Sequence, residues 1–236
     1  MSVRLRGNLA GRLKFFQENW KLITSDLAIL EIVRGWRLPI IGRPFQEPKQ
    51  IPMSEVKREV VDKEIQSMIQ KGALREVQPV EGQYLSTIFV RPKREMNKFR
   101  PIINLKQLNT HMPYRHFKME GMKDVIDLLN QGDYMMKIDL KDAYWHIPIH
   151  PSSQKYLRFQ WKEKLYEMLV LAFGVGPGPR IFTKLLKVPL TILRRLMIEI
   201  VAYLDDLLII EKTMEGAIRA RDTVLFLLQR LGFTIN

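Results

Sequence analysis

Ile198–Glu211 reads I-E-I-V-A-Y-L-D-D-L-L-I-I-E, two short apolar runs with Asp205 and Asp206 side by side between them. Runs of this length and composition, Ile200–Leu204 and Leu207–Ile210, carry the pattern of buried strands. The simplest geometry is a β-hairpin with the aspartates at or beside its tight turn, although Asp-Asp is a weaker turn pair than Asn-Gly. Two carboxylates ~4 Å apart repel by roughly 4 kcal/mol at an effective dielectric of ~20. A cation between them would offset that repulsion. The plainer alternative is a solvated turn, since Asp is a common turn former. The hairpin alone leaves both open, so the remainder of the chain decides.

The nearest candidate partner is Asp139. Tyr134–Leu140 has a strand pattern, with Asp139 near its C-terminal end. From Tyr134 onward, with a hairpin over 157–171 set aside as an insertion, the order is strand, helix, strand, strand, helix and the start of a strand. That is the split βαβ, or ferredoxin-like, order, in which the first and third strands are central neighbours. Asp139 is then expected beside Asp205 and Asp206. Three carboxylates converging on one sheet edge are what a two-metal site needs, and Mg²⁺ prefers oxygen ligands.

Upstream, Tyr84–Arg91 and Lys98–Leu105 read as a hairpin with a long basic tip. Residues 91–100 hold five Lys or Arg against one Glu. The whole chain of 236 residues has 38 Lys plus Arg against 25 Asp plus Glu, a net charge of +13 and a pI near 9.9. This balance suggests a polyanionic partner. Cysteine is absent, which excludes a disulfide framework and thiolate zinc sites. No apolar run approaches the ~18 residues of a membrane span. No apolar stretch follows the basic N-terminus, so a secretory signal is not expected. An intracellular protein, in cytoplasm or nucleus, is the expectation.

Several helices are expected around this frame. Ala10 to about Gly35 reads as two short helices, with Ser25 or Asp26 as an N-cap, forming a small packing appendage. Pro39, Pro44, Pro48 and Pro52 mark an extended connector. A helix capped by Ser54 is expected to bury Val56, Val60, Ile65, Met68 and Ile69. Another, over Met122–Asn130, is expected to bury Val125, Ile126 and Leu129. Leu157–Trp161 and Leu165–Leu171 form the second hairpin, turning at Glu163-Lys164. A helix from about Pro179 carries Ile181, Leu185, Pro189, Ile192 and Leu196 on one face, with Pro189 kinking or ending it. Thr213 caps a last helix, which buries Ala217, Val224, Leu228 and Leu231 and ends at Gly232. The four histidines show no metal-ligand spacing, and loop or surface roles are expected for them.

Together these stretches resemble the reverse transcriptases. Tyr203–Asp206 (Y-L-D-D) is similar to the family's Y-x-D-D box, and Lys137–Trp145 (K-I-D-L-K-D-A-Y-W) to its other carboxylate motif. Lys98–Asn109, Leu171–Gly174 (L-A-F-G) and the closing L-G-F-T-I-N resemble further family motifs in the same order. Gly11–Pro39 is similar to the leader of DIRS-type retrotransposons, with gypsy-type elements as the near alternative.

The resemblance implies an α+β fold of polymerase fingers plus a ferredoxin-like palm. A leader and connector would occupy 1–52, fingers about 53–118 and 145–172, and palm about 119–144 and 173–236. The thumb would be absent, the chain being truncated after the palm. It further implies RNA-directed DNA polymerisation on an RNA or DNA template with a primer, from deoxynucleoside triphosphates. Asp139, Asp205 and Asp206 would be catalytic and, with the Leu140 carbonyl, would hold two Mg²⁺ ions, Mn²⁺ being a substitute. Lys93 and Arg100 would contact the triphosphate, and the amides of Asp142 and Ala143 would cradle its phosphates. Tyr144 would lie under the sugar and exclude a 2′-hydroxyl. Phe173 and Gly174 would line the nucleotide pocket. Two departures stand out: V-G-P-G-P after Gly174, which loosens that loop, and the missing thumb. A protein partner or a downstream region would then supply thumb and RNase H. The alternatives are an inactive nucleic-acid-binding remnant and another palm-type nucleotidyltransferase or cyclase.

Overall fold

The computed structural model describes residues 10–47, 51–92 and 99–236. Its centre is a three-stranded antiparallel sheet of β4 (Tyr134–Asp139), β8 (Asp206–Glu211) and β7 (Glu199–Tyr203), in that spatial order. Ile235 extends it, bridging antiparallel to Leu140 on the free side of β4. The first and third strands are therefore neighbours, as the split βαβ order requires. One face of the sheet is covered by α7 (Gly178–Arg195) and α8 (Met214–Arg230). Period-two alternation sends Ile138, Leu207, Ile209 and Ile200 into this layer, all buried. Asp139, its cross-strand partner Asp206 and that residue's partner Tyr203 are left on the opposite face.

A second sheet has the order β1 (Leu74–Val77), β6 (Lys164–Met168), β5 (Arg158–Trp161), β2 (Leu85–Pro92) and β3 (Phe99–Asn104). β2 and β5 are parallel, and the other pairs antiparallel. The 157–171 hairpin thus belongs to this sheet, as setting it aside anticipated. β1 was not anticipated: L-R-E-V is too short and polar to read as a strand without its partner β6. Glu167 is buried between Arg158 and Arg75, with Oε2 2.6 Å from Arg158 and Oε1 2.7 Å from Arg75. Breaking such a buried pair costs about 3–5 kcal/mol. The β5–β6 turn falls at Lys162-Glu163, one residue earlier than expected, with Lys162 left-handed at φ 55°.

α1 (Gln17–Ile23) follows a 3₁₀ turn over Arg12–Phe16, and α2 (Leu27–Gly35) is capped by Asp26, whose Oδ1 accepts from Ala28 N–H at 2.8 Å. Leu13, Trp20, Ile29 and Val33 of this leader share one buried cluster with the strands and helices of both sheets. Trp20 donates its indole N–H to Leu231 O at 2.9 Å, beyond the end of α8.

Three expected faces are corrected. α3 (Glu55–Gln70) buries Val61, Ile65 and Met68, while Val56 and Ile69 are exposed and Val60 is half-buried. The i, i+4, i+7 stripe is present but rotated. α5 (Met122–Leu128) buries none of its residues, and Ile126 and Leu129 are exposed. α7 runs through Pro189 without ending; Ile181, Leu185 and Pro189 are buried as expected, but Leu186, Leu190 and Leu193 also turn inward, Ile192 is half-buried and Leu196 is exposed. The short helices α4 (Lys106–Asn109) and α6 (Pro151–Gln154) complete the fold. Thr213 caps α8 through Gly216 N–H, and its four expected inward residues are buried. Among the described residues no helix is long and apolar enough to cross a membrane.

Candidate active site

Asp139 and Asp206 face each other across β4 and β8. Leu140 N–H donates to Asp205 O at 2.9 Å, while Asp139 O accepts from Asn236 N–H on the other side. The aspartates are therefore a non-hydrogen-bonded pair, the register in which Cα atoms approach to about 4.5 Å. Tyr203 pairs with Asp206, so the turn is Leu204-Asp205, and Leu204 takes φ 55°. A left-handed leucine costs roughly 1–2 kcal/mol, and such strain concentrates at functional sites.

A cation already answers the three carboxylates. Lys137 lies two residues before Asp139 on the same strand face, and its Nζ is 2.8 Å from Asp206 Oδ1. Its basicity is raised by the bond and charge of Asp206, then by Asp139 and Asp205. The Asn236 side-chain amide donates to Asp139 Oδ2. Among the described residues no group of three acidic or histidine side chains is gathered closely enough to hold a metal ion. The donor set nevertheless fits a divalent ion: hard carboxylate oxygens, adjacent on two strands, whose combined field draws an ammonium group onto them.

Beside the aspartates the chain turns sharply at Asp142, φ 49°, into a 3₁₀ turn over Ala143–His146. Asp142 accepts from Lys71 Nζ at 3.0 Å. Tyr144 is buried, stacked on Phe173 with centroids 5.0 Å apart and tilted against Phe182 at 5.4 Å. Burial first, then the negative charge of Asp205, pushes its hydroxyl up to about 12, so it stays protonated at neutral pH. Phe173 is 58% exposed, presenting one ring face outward. Gly174, φ 94°, accepts from Asn109 Nδ2 at 2.8 Å, and Gly176 N–H donates to Asn109 Oδ1 at 2.8 Å. The loop expected to be loose is thus tied by one side-chain amide.

Asp139, Leu140, Asp142, Ala143, Tyr144, Phe173, Gly174, Asp205 and Asp206 are in this way joined through two strands, one turn and one loop. Arg100 is separate: it stands on β3, the edge of the other sheet, opposite Arg91. Lys93 lies outside the described residues.

A family model described as reverse transcriptase (RNA-dependent DNA polymerase) matches residues 91–236, more than half of the chain. The chain belongs to the reverse transcriptase family. Its domain class is that of nucleotidyltransferases. Polyprotein P3 of Commelina yellow mottle virus is 24% identical over 209 residues, covering 84% of this chain and 10% of the polyprotein. The putative enzymatic polyprotein of cassava vein mosaic virus is 30% identical over 155 residues, 64% of this chain and 23% of that protein. The Pol polyprotein of Drosophila melanogaster transposon 297 is 27% identical over 171 residues, with coverage of 70% and 16%. The chain therefore spans less than a quarter of each of these relatives.

Within this reverse transcriptase domain, sequence reasoning missed Lys137, Asn109 and His146. Lys137 carried a signal, its period-two spacing from Asp139. Asn109 carried none, because its partners stand far along the chain. His146, expected in a loop or surface role, is buried. Its Nδ1 lies 2.9 Å from Ala143 O, which only a donor can satisfy, so Nε2 accepts from Thr234 N–H at 2.9 Å. Burial holds its pKa down to about 4, and the ring is neutral.

Proposed function

We propose that this domain is an RNA-directed DNA polymerase that adds deoxynucleotides to a primer 3′-hydroxyl. The observation that carries the reading is the cross-strand pair Asp139–Asp206, with Asp205 in the adjoining turn, inside the span matched by the family. The β1–β6–β5–β2–β3 sheet with α3 corresponds to fingers, and the β4–β8–β7 sheet with α7 and α8 to palm. The leader favours a DIRS-type retroelement over a gypsy-type one.

Asp139, Asp205, Asp206 and the Leu140 carbonyl would hold two divalent ions, Mg²⁺ in the first place. When bound, such ions neutralise phosphate charge and favour the ionised hydroxyl nucleophile. Tyr144, fixed between Phe173 and Phe182, would set a flat floor beneath the sugar. Its contact with deoxyribose leaves no space for a 2′-hydroxyl. Phe173 would pack against the nucleotide, held in place by the Asn109 bridge to Gly174 and Gly176. Asp142 and Ala143 would present backbone N–H groups to phosphates, and Arg100 with Lys93 would bring positive charge from the fingers hairpin. Catalysis by such a site is chiefly positioning and electrostatic stabilisation.

The test is primer extension by the purified protein on an RNA template with deoxynucleoside triphosphates and Mg²⁺. Extension that stops on chelation supports the reading. Absence of extension on RNA and DNA templates alike overturns it.

A further inference from the structure

The β4–β8–β7 sheet ends at β7, and no strand pairs with its outer edge among the described residues. The opposite edge, at β4, is covered by the bridge from Ile235 to Leu140. Tyr203 faces Asp206 across the two-residue turn, and Val201 faces Leu208. The backbone groups of Ile200 and Ala202 therefore point outward, away from β8. An edge strand ordinarily offers such groups to water or to another chain.

Here two side chains take them. Ala202 N–H donates to Glu120 Oε2 at 2.8 Å, and Ile200 O accepts from Arg194 Nη2 at 2.7 Å and from its Nε at 3.2 Å. The side chains also hold each other, with Arg194 Nη2 2.7 Å from Oε1 and 2.8 Å from Oε2 of Glu120. Acceptor and donor thus stand along β7 where a neighbouring strand would stand. Arg194 comes from the last turn of α7, where the helix dipole favours a cation. Glu120 comes from the segment just before α5. Their side chains are 39% and 27% exposed, so as a surface ion pair they contribute little to overall stability. Their place on the strand matters more. Ala202 precedes Tyr203, and beyond it comes the Leu204-Asp205 turn with Leu204 in the left-handed region. A backbone so strained persists only where its surroundings hold it.

We propose that Glu120 and Arg194 are positioning residues: by gripping Ala202 and Ile200 they hold the β7–β8 hairpin, and with it Asp205 and Asp206, in place beside Asp139. For its effect on rate the inference rests on the polymerase reading of those aspartates; the grip itself is a property of the fold. Neither side chain touches nucleotide or metal in that reading. Misplacing reacting groups by about 1 Å costs about a hundredfold in rate. A loosened hairpin therefore lowers turnover, while nucleotide affinity, which depends on residues of other elements, stays near the parent's. A plain ion pair would work in either order. This one does not reverse, because the Ala202 N–H requires an acceptor and the Ile200 carbonyl a donor.

Amide hydrogen exchange of the whole chain, read residue by residue by NMR, tests the grip without reference to activity. In the parent the Ala202 N–H is expected to be protected although it lies on an outer edge. Glu120→Ala should raise its exchange rate by about tenfold or more, the scale of a hydrogen bond to a charged group. Exchange should also rise at Tyr203 and Asp206, which pair across the turn, and Arg194→Ala should loosen the same residues. The melting temperature should fall by no more than about 4 °C in either variant. Glu120→Gln, which keeps an acceptor for Ala202, should retain most of the protection. The reversed pair, Glu120→Arg with Arg194→Glu, should exchange as fast as Glu120→Ala. Lys212→Ala breaks the ion pair to Asp133 at the far end of the same sheet and should leave Ala202 and Asp206 at parental rates. In single-turnover incorporation Glu120→Ala should lower the maximal rate by about ten- to a hundredfold, with nucleotide affinity little changed. Parental exchange at Ala202 and Asp206 in both Ala variants overturns the proposal, as does full protection in the reversed pair or an equal response in Lys212→Ala. So does a parental rate of incorporation in folded Glu120→Ala. A parent that extends no primer refutes the polymerase reading, while the exchange rates still decide the grip.

Discussion

Gly232→Ala offers the sharpest test of how the leader is joined to the reverse transcriptase domain. Gly232 follows α8 with φ +97°, and a Cβ there would stand 2.6 Å from Cδ2 and 2.9 Å from Cγ of Phe16. Two costs add. The left-handed backbone costs a non-glycine residue about 1–2 kcal/mol. Pushing a methyl into a packed ring costs about 1–3 kcal/mol. The sum is roughly 2–5 kcal/mol, and at 2–4 °C per kcal/mol for a chain of this size the melting temperature should fall by roughly 4–20 °C. The strain falls beside Phe233, which is buried, and close to Ile235 and Asn236, which pair with Leu140 and Asp139. The assay is urea or thermal denaturation of Gly232→Ala, Phe16→Ala and the double variant. Removing the ring should relieve the steric part, so the two changes should be non-additive by about 1–3 kcal/mol. Additive costs, or a Gly232→Ala variant within about 0.5 kcal/mol of the parent, would refute the contact.

Tyr144→Val should admit ribonucleotides, because the floor proposed to lie beneath the sugar loses its ring; unchanged discrimination between ribo- and deoxynucleotides in single-nucleotide incorporation would reject that role. Asn109→Ala removes the bridge between Gly174 and Gly176 and should cost about 1–3 kcal/mol of stability while raising the KM for nucleotide more than it lowers kcat. His146 binds protons less readily when folded, with a pKa near 4 against an ordinary 6.5. Its contribution is therefore complete above about pH 6.5 and is lost as pH falls towards 4, by about 3 kcal/mol in all. Urea midpoints across that window should fall steeply for the parent and less steeply for His146→Gln.

The site was more legible in the sequence than the packing around it. Two short apolar runs placed Asp205 and Asp206 at or beside a hairpin turn, which falls at Leu204-Asp205, and element order placed Asp139 beside them, because strand pattern and chain connectivity are local properties. The rotated stripe of α3 shows where local reasoning stops: Val56 and Val60 have the same spacing as Val61 and Ile65, and only the sheet beneath the helix chooses between them. α5 fails for the same reason, since Ile126 and Leu129 look like core residues until no layer covers them. Pro189 was read from intrinsic propensity as a kink or an end, yet α7 continues past it to Arg195, with the proline buried on the leucine face. Asn109 and His146 act through partners distant in sequence, Gly174 and Thr234. No spacing could announce those.

If Asp139, Asp205 and Asp206 form one catalytic centre, as proposed, single-turnover incorporation of one deoxynucleotide by Asp205→Asn will show it. The substitution keeps size and turn geometry, so the melting temperature should hold. A rate loss on the order of a hundredfold or more is expected, the scale for removing a group that stabilises transition-state charge. A folded Asp205→Asn protein that incorporates the nucleotide at the parental rate would contradict it.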